Sequence, residues 1–314
     1  MQKLLSSRLV GNILFALIII GAGMLIFASS QRIEYVWRWE RVPDYIISFV
    51  KESFQARANG TLKSDGTEVY IVKSDGTKEL VTEKAQLLMP EGSQVLVGDL
   101  VAINKSWRLG PLTKGLIMTL EISFFSIIIA IILGIITGLM RISPVYVFRR
   151  LALTYVEIVR GTPLLVQIFI LYFFFGKIFN MGQIASGVAA LAIFTGAYIA
   201  EIVRAGVQSI HKGQTEAARS LGLNYIQTMR HIILPQALRR TLPPMAGQFI
   251  SLIKDSSLVS VIAITDLTKA GREVISATFS TFEVWFTVAL MYLILTSTLS
   301  YLISRLEIRM AKAD

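Results

Sequence analysis

Apolar runs long enough to cross a bilayer recur along this chain, and they constrain its fold more than anything else in it. Val10–Phe27, Leu112–Met140, Leu151–Phe179, Val188–Val207, Leu242–Ile264 and Phe282–Ile303 reach or approach the ~20 residues that a helix needs to span a membrane. In hydrocarbon every backbone N–H and C=O must be paired internally, so such runs predict helices. With 54% hydrophobic residues among 314 and a mean hydropathy of +0.61, the chain reads as an integral membrane protein. Its net charge of +10 then does not point to nucleic acid, because Lys and Arg crowd the cytoplasmic loops of membrane proteins. The chain has no cysteine, which excludes disulfides and thiolate metal sites, and only two histidines, His211 and His231. No G-x-x-x-x-G-K-[ST] occurs, so the chain has no phosphate loop with which to hydrolyse ATP. Any energy must come from a partner.

The Lys/Arg distribution orients these runs. Lys3 and Arg8 precede the first, which is longer than the ~7–15 residues of a signal-peptide core. Residues 1–30 therefore read as an uncleaved anchor helix with a cytoplasmic N-terminus. Residues 31–110 carry eleven basic and eleven acidic residues, a neutral balance that suits the external side. Within them Ile46, Ile47, Val50 and Phe54 give Pro43–Phe54 an amphipathic-helix pattern. Two copies of K-S-D-G-T follow, Lys63–Thr67 and Lys73–Thr77. Each contains an Asp-Gly hairpin signal, and Glu68–Val72 between them reads as a strand. Val95–Val97 and Leu100–Ile103, split by Gly98-Asp99, read as a further strand pair. A small β-rich external domain is thus expected at about 58–105, either a docking platform or an insertion without separate activity.

Gly110-Pro111 ends this insert, and residues 111–314 form the membrane core. Gly134-x3-Gly138 is a close-packing pattern for helix pairs. Arg141, Arg149 and Arg150 put the next loop inside, and Arg305, Arg309 and Lys312 hold the C-terminus there. Glu157, Arg160, Gly161 and Pro163 interrupt the third run, and Glu201 and Arg204 have the i, i+3 spacing of an ion pair. The expected fold is an all-α polytopic membrane protein, with one N-terminal anchor helix, five core helices and a small β-rich external insert. Both termini are expected to be cytoplasmic.

One stretch between the apolar blocks is polar and basic: Gly213–Pro235, GQTEAARSLGLNYIQTMRHIILP. Residues 215–221 are good helix formers and Gly222 is a natural stop. A second short helix should end at or before Pro235. Small side chains at Ala217 and Ala218 let another protein's backbone approach closely, and Glu216 beside them can pair with a basic partner. This describes a docking helix rather than a catalytic loop. The spacing E-A-A-x3-G-x9-I-x-L-P, carried by Glu216, Ala217, Ala218, Gly222, Ile232, Leu234 and Pro235, resembles the EAA loop of binding-protein-dependent ABC importer permeases.

Further stretches resemble the polar amino-acid (histidine/glutamine-type) branch of that family: YVEIVRGTPLLVQIF at Tyr155–Phe169, GAYIAEIVRAGVQ at Gly196–Gln208, FISLIKDSSLVSVIAI at Phe249–Ile264, and Thr265-Asp266-Leu267. The likeness covers about two thirds of the chain and leaves out residues 1–110. It implies passage of a polar amino acid through a pathway between two permease subunits, identical or paralogous, in a bacterial cytoplasmic (inner) membrane. It also implies an external solute-binding protein, and separate ATPase subunits that hold ATP and Mg and seat loop 212–235. No catalytic residue is expected on this chain.

Charged groups inside apolar segments mark the candidate pathway. Lys254 and Asp255 lie in Leu242–Ile264 with Gln248, Ser251, Ser256 and Ser257 close by. A zwitterionic substrate needs a cation for its carboxylate and an anion or carbonyls for its ammonium. Alternatively one of the pair is bound structurally to Glu157 or Arg160, and the sequence leaves both readings open. Two rival functions also stand beside the permease: a membrane-anchored sensory or binding protein, and an ion-coupled secondary transporter.

Overall fold

A computed structural model describes residues 8–31, 35–66, 68–83 and 85–311. Lys3, Thr67 and Lys312 lie outside them, as do the side chains of Arg8 and Arg309. The chain divides into two units, Met1–Glu40 and Arg41–Asp314. The first holds α1, Arg8–Gln31, whose stretch Val10–Ser30 is long and apolar enough to cross a membrane. Beyond it Trp37 packs edge-on against Tyr35 at 5.2 Å and stacks with Trp39 at 5.7 Å.

The second unit opens with α2, Val42–Ile46, and turns at once into strand β1, Ile47–Gln55. The amphipathic helix expected over Pro43–Phe54 is therefore only its first turn. Ile47, Phe49 and Ser53 alternate with residues of the opposite face and find a partner in β7, Leu100–Leu109. The antiparallel register runs from Ile47↔Leu109 to Phe54↔Ala102 before a bulge at Gln55. That ladder gives both segments a long run of inter-strand hydrogen bonds, whereas a short isolated helix is marginal in water.

Between β1 and β7 lie β2 (Gly60–Asp65), β3 (Glu68–Val72), β4 (Lys78–Glu83), β5 (Gln86–Leu87) and β6 (Gln94–Val95). They form two sheets, of order β1-β7-β5 and β4-β3-β2-β6. Leu62, Val69, Ile71, Val95, Val101 and Ala102 fill the space between them. Both Asp-Gly signals are turns with left-handed glycines, Gly66 at φ 65° and Gly76 at φ 80°. In the second, the Thr77 amide and hydroxyl donate to Asp75 at 2.9 and 2.6 Å and hold its carboxyl below the usual carboxylate range. The strand pair expected around Gly98-Asp99 is not a hairpin. β6 pairs with β2, whereas β7 pairs with β1 and β5, and Gly98 (φ 98°) turns the chain from one sheet into the other.

β7 runs into α3, Pro111–Ile142, through Gly110, where a Cβ would collide with the backbone of Tyr45. The Gly110 amide and the Thr113 hydroxyl both donate to the Ile46 carbonyl, at 2.8 and 2.6 Å. α3 packs along α6, Gln183–Gln208, and the G-x3-G pattern is the seam. A Cβ on Gly134 would strike Ile199, and one on Gly138 would lie 2.7 Å from Val203.

The run Leu151–Phe179, expected to be interrupted near Gly161 and Pro163, is two helices, α4 (Tyr146–Arg160) and α5 (Leu164–Ile178), bent by 105°. Gly161 and Pro163 break the helix between them, since Pro cannot donate to the ladder. α5 passes through a π-helical turn at Ile170–Phe175.

After α6 come α7 (Lys212–Ser220) and α8 (Tyr225–Thr228), and a π turn, Met229–Ile233, joins α8 to α9, Leu234–Asp255. The second short helix, α8, ends before Pro235 as expected. Pro235 itself sits in the first turn of α9, where a missing N–H costs nothing. A span does not begin at Leu242: Pro243 and Pro244 lie inside α9, which passes into a 3-10 segment at Ser256–Ile262. α10 (Leu267–Thr278) is capped by Asp266, and α11 is Thr281–Ala311.

Among the described residues four helices are long and apolar enough to span: Val10–Ser30, Pro111–Ile142, Gln183–Gln208 and Thr281–Arg305. The bent pair makes a fifth if it is one crossing. The main core, including Ile122, Ile168, Leu191, Ile199, Leu252 and Val259, lies where α3, α5, α6, α9 and the 3-10 segment meet.

Candidate functional site

Loop 212–235 is held by its own ends. His211 accepts from the Gly213 amide at 3.1 Å and starts α7. At its far end Leu223 N–H donates to Ala218 O and Gly222 N–H to Arg219 O, at 3.1 and 2.9 Å. With Gly222 at φ 79°, this is the Schellman closure that a glycine after a helix permits. Asn224 and Gln227 then form a reciprocal capping box that starts α8. The Gln236 amide ties the loop down, donating to Gln214 at 3.2 Å and to Ile232 O at 2.8 Å, and Arg240 donates to Ser209 O at 2.7 Å.

The seven motif residues divide by role. Glu216 and Ala217 face outward, whereas Ala218 is 3% exposed and packs inward. Of the alanine pair, then, only Ala217 is exposed. Gly222 makes the turn. Ile232 is half-buried against Ile210, Ile233 and Ala237, and Leu234 and Pro235 line an apolar cleft behind the loop. Two exposed residues of this surface were not picked out from the sequence: Leu221 and Ile226, 81% and 73% exposed. Their signal was an apolar side chain next to the helix stop and another in the following turn.

The charged candidates fall into two groups. Arg160 lies 4.0 Å from Glu201 and over the Tyr198 ring at 5.2 Å. Glu201 accepts from Arg141 at 2.7 Å and also pairs with Arg204, as its spacing predicted. One carboxylate thus gathers arginines from α3, α4 and α6. Glu157 is exposed and lines the same cleft of about 400 Å3 with Arg141, Arg160 and Tyr198. The other group sits at the end of α9. Lys254 is exposed there, and Asp255, Gln248 and Ser257 are partly buried. Ser256 is buried and donates to Ile253 O at 2.7 Å. Among the described residues neither Lys254 nor Asp255 forms an ion pair with Glu157 or Arg160, so the structural pairing kept open above is not made.

Two polar residues inside the resemblance stretches carry structure rather than substrate. Gln167 is buried, and its amide donates to Val159 O at 2.7 Å, Thr162 O at 3.1 Å and the Thr162 hydroxyl at 2.8 Å. It thereby satisfies carbonyls freed by the 105° bend. Asp266, fully buried, accepts from the Thr268 and Lys269 amides at 3.0 Å each. Next to it the Leu267 amide donates to Thr119 of α3 at 3.1 Å.

The loop thus presents an outward Glu-Ala edge, is closed by a glycine and lies between α6 and α9. The sequence profile described as binding-protein-dependent transport system inner membrane component matches residues 130–312, more than half of the chain. The chain belongs to that family. Similar proteins include the glutamine transport system permease protein GlnP of Escherichia coli (strain K12), 43% identical over 208 residues, 65% of this chain and 95% of that protein. The probable glutamine ABC transporter permease protein GlnM of Bacillus subtilis (strain 168) is 42% identical over 200 residues, 63% and 93% of the two chains.

The solved structure of an amino acid ABC transporter with histidines shares 41% identity and a TM-score of 0.60 over 63% of this permease and 94% of that chain. The inward-facing MetNI methionine ABC transporter, at 21% identity and a TM-score of 0.56, shares the fold. The family profile begins inside α3, so α1 and the β domain of this permease lie outside it.

Proposed function

We propose that this permease is the membrane subunit of an ATP-driven, binding-protein-dependent importer of polar amino acids. In this reading residues 1–30 are the anchor, 31–110 an external insert and 111–314 a five-helix core, the broken α4–α5 pair and α9 with its 3-10 extension each counting as one crossing. Both termini are cytoplasmic. Glu216 and Ala217 on α7 seat in a separate ATPase subunit, which holds ATP and Mg, and a solute-binding protein delivers substrate from outside. The kinship with glutamine and other amino-acid permeases supports the substrate class.

One observation carries the reading: the exposed Glu216–Ala217 edge, fixed at both ends by caps, on a chain that has no phosphate loop of its own. The pathway reading rests on Lys254. An ammonium exposed on an otherwise apolar segment is costly in lipid and faces a watery cavity or a partner helix. In this reading it meets the substrate carboxylate, with Asp255, Gln248 and Ser257 beside it and Glu157 and Arg160 along the same route.

Uptake by the reconstituted transporter, read against substrate concentration, tests both parts. Lys254→Met should weaken apparent affinity by about 1.5–3 kcal/mol, roughly one to two decades. Unchanged half-saturation in a well-assembled variant removes Lys254 from the pathway. Uptake confined to sugars or peptides removes the amino-acid assignment.

A further inference from the structure

Two apolar clefts meet at Arg230. One, of about 390 Å3, runs between α3, α6 and α9 past Leu139, Val203, Leu238 and Met245. The second, also of about 390 Å3, lies between the end of α3 and α8, and shares Leu139, Arg230 and Leu234 with the first. No carboxylate lines either cleft. The Arg230 side chain is exposed and makes no hydrogen bond or ion pair among the described residues. The walls include α3 and α6, both of spanning length, and the second cleft reaches Ile142 at the end of α3. An apolar trough at the end of membrane helices, with one unpaired guanidinium at its mouth, has the chemistry of an amphiphile's two parts. The acyl chain is taken by the leucines and the anion by Arg230.

We propose that these joined clefts bind an anionic phospholipid of the cytoplasmic leaflet, one acyl chain against Leu139 and Leu238 and the headgroup phosphate on Arg230. A second copy of the chain is a poorer occupant. The surrounding loop is basic (Lys212, Arg219, Arg230, Arg239, Arg240), so a self-complementary contact here would bring like charges together. The site would tie the anchoring of the docking loop to membrane composition. It rests on the proposed function only for the leaflet.

The full chain in nanodiscs of equal phosphatidylglycerol and phosphatidylcholine, released and weighed by native mass spectrometry, tests this. Phosphatidylglycerol should be retained over phosphatidylcholine by about fivefold, the preference that one surface cation gives. Arg230→Gln, at an exposed position, should abolish the preference, and Arg230→Lys should keep most of it. Leu139→Trp should lower retention of both lipids. Equal retention by the unaltered chain, or an undiminished preference in Arg230→Gln, overturns the site. So does efficient cross-linking of Leu238→Cys to a second copy. The two readings fail separately. Single cysteines at Ser74 and Ser220 that label from the wrong sides sink the membrane orientation, whereas correct labelling without lipid preference sinks the site alone.

Discussion

On α7 the side chain of Ala217 points outward while that of Ala218 packs under the helix, so two chemically identical residues answer to different demands. Ala217→Arg is expected to leave thermal unfolding unchanged and to abolish substrate-stimulated ATP hydrolysis in the assembled transporter. Ala218→Leu is expected to overpack the loop and cost about 1–3 kcal/mol, read as a lower Tm. An Ala217→Arg variant with full stimulated hydrolysis would refute the docking role. Buried Gln167 offers a second test at this scale. In Gln167→Leu the Val159 carbonyl loses its donor at the bend, at a cost of about 1–3 kcal/mol, visible as reduced thermal stability. The E-A-A-x3-G spacing was legible because each position has a local cause: propensity, size, or the left-handed turn. Which alanine faces inward was not legible, because that depends on the π turn Met229–Ile233, which packs against α7 in space.

Helix α3 is fastened to α6 by the absence of side chains at Gly134 and Gly138. Gly134→Ala and Gly138→Ala should each separate the pair and lower Tm in detergent, by about 1–3 kcal/mol of overpacking. Gly21→Ala in α1, where an added Cβ meets nothing within 4 Å, is the control and should be neutral. Equal Tm in all three would deny the seam. Close packing of this kind is written locally, in a repeat of four residues, and was read in advance. Three other elements were read only in part, for one shared reason. Pro43–Phe54 shows helical spacing, yet Ile47–Phe54 pairs with β7, more than forty residues away along the chain. Gly161 and Pro163 marked the interruption of Leu151–Phe179 but not its 105° angle, and the Leu242–Ile264 run did not mark a helix that begins at Leu234. Bend clamps such as Gln167, and prolines tolerated within α9, decide these. Hydropathy records the solvent a segment meets and not the path it takes.

For the molecule as a whole, sidedness is the property on which its transport role depends. Cysteine-free sequence makes it directly measurable: Ser74→Cys in the β domain should react with an impermeant maleimide from outside, and Ser220→Cys on the docking loop only after permeabilisation. The reverse pattern would invert every assignment. A mechanical consequence follows from the join at Gly110. Strands β1 and β7 form an antiparallel ribbon that enters α3 with no slack, pinned by the Ile46 carbonyl and by the tight approach of Tyr45. At about 3.3 Å per residue the ribbon is a stiff arm of roughly 30 Å, so tilting α3 by about 10° sweeps its tip through about 5 Å. A small rotation of α3 would therefore be carried to the far end of the ribbon as a displacement of that size.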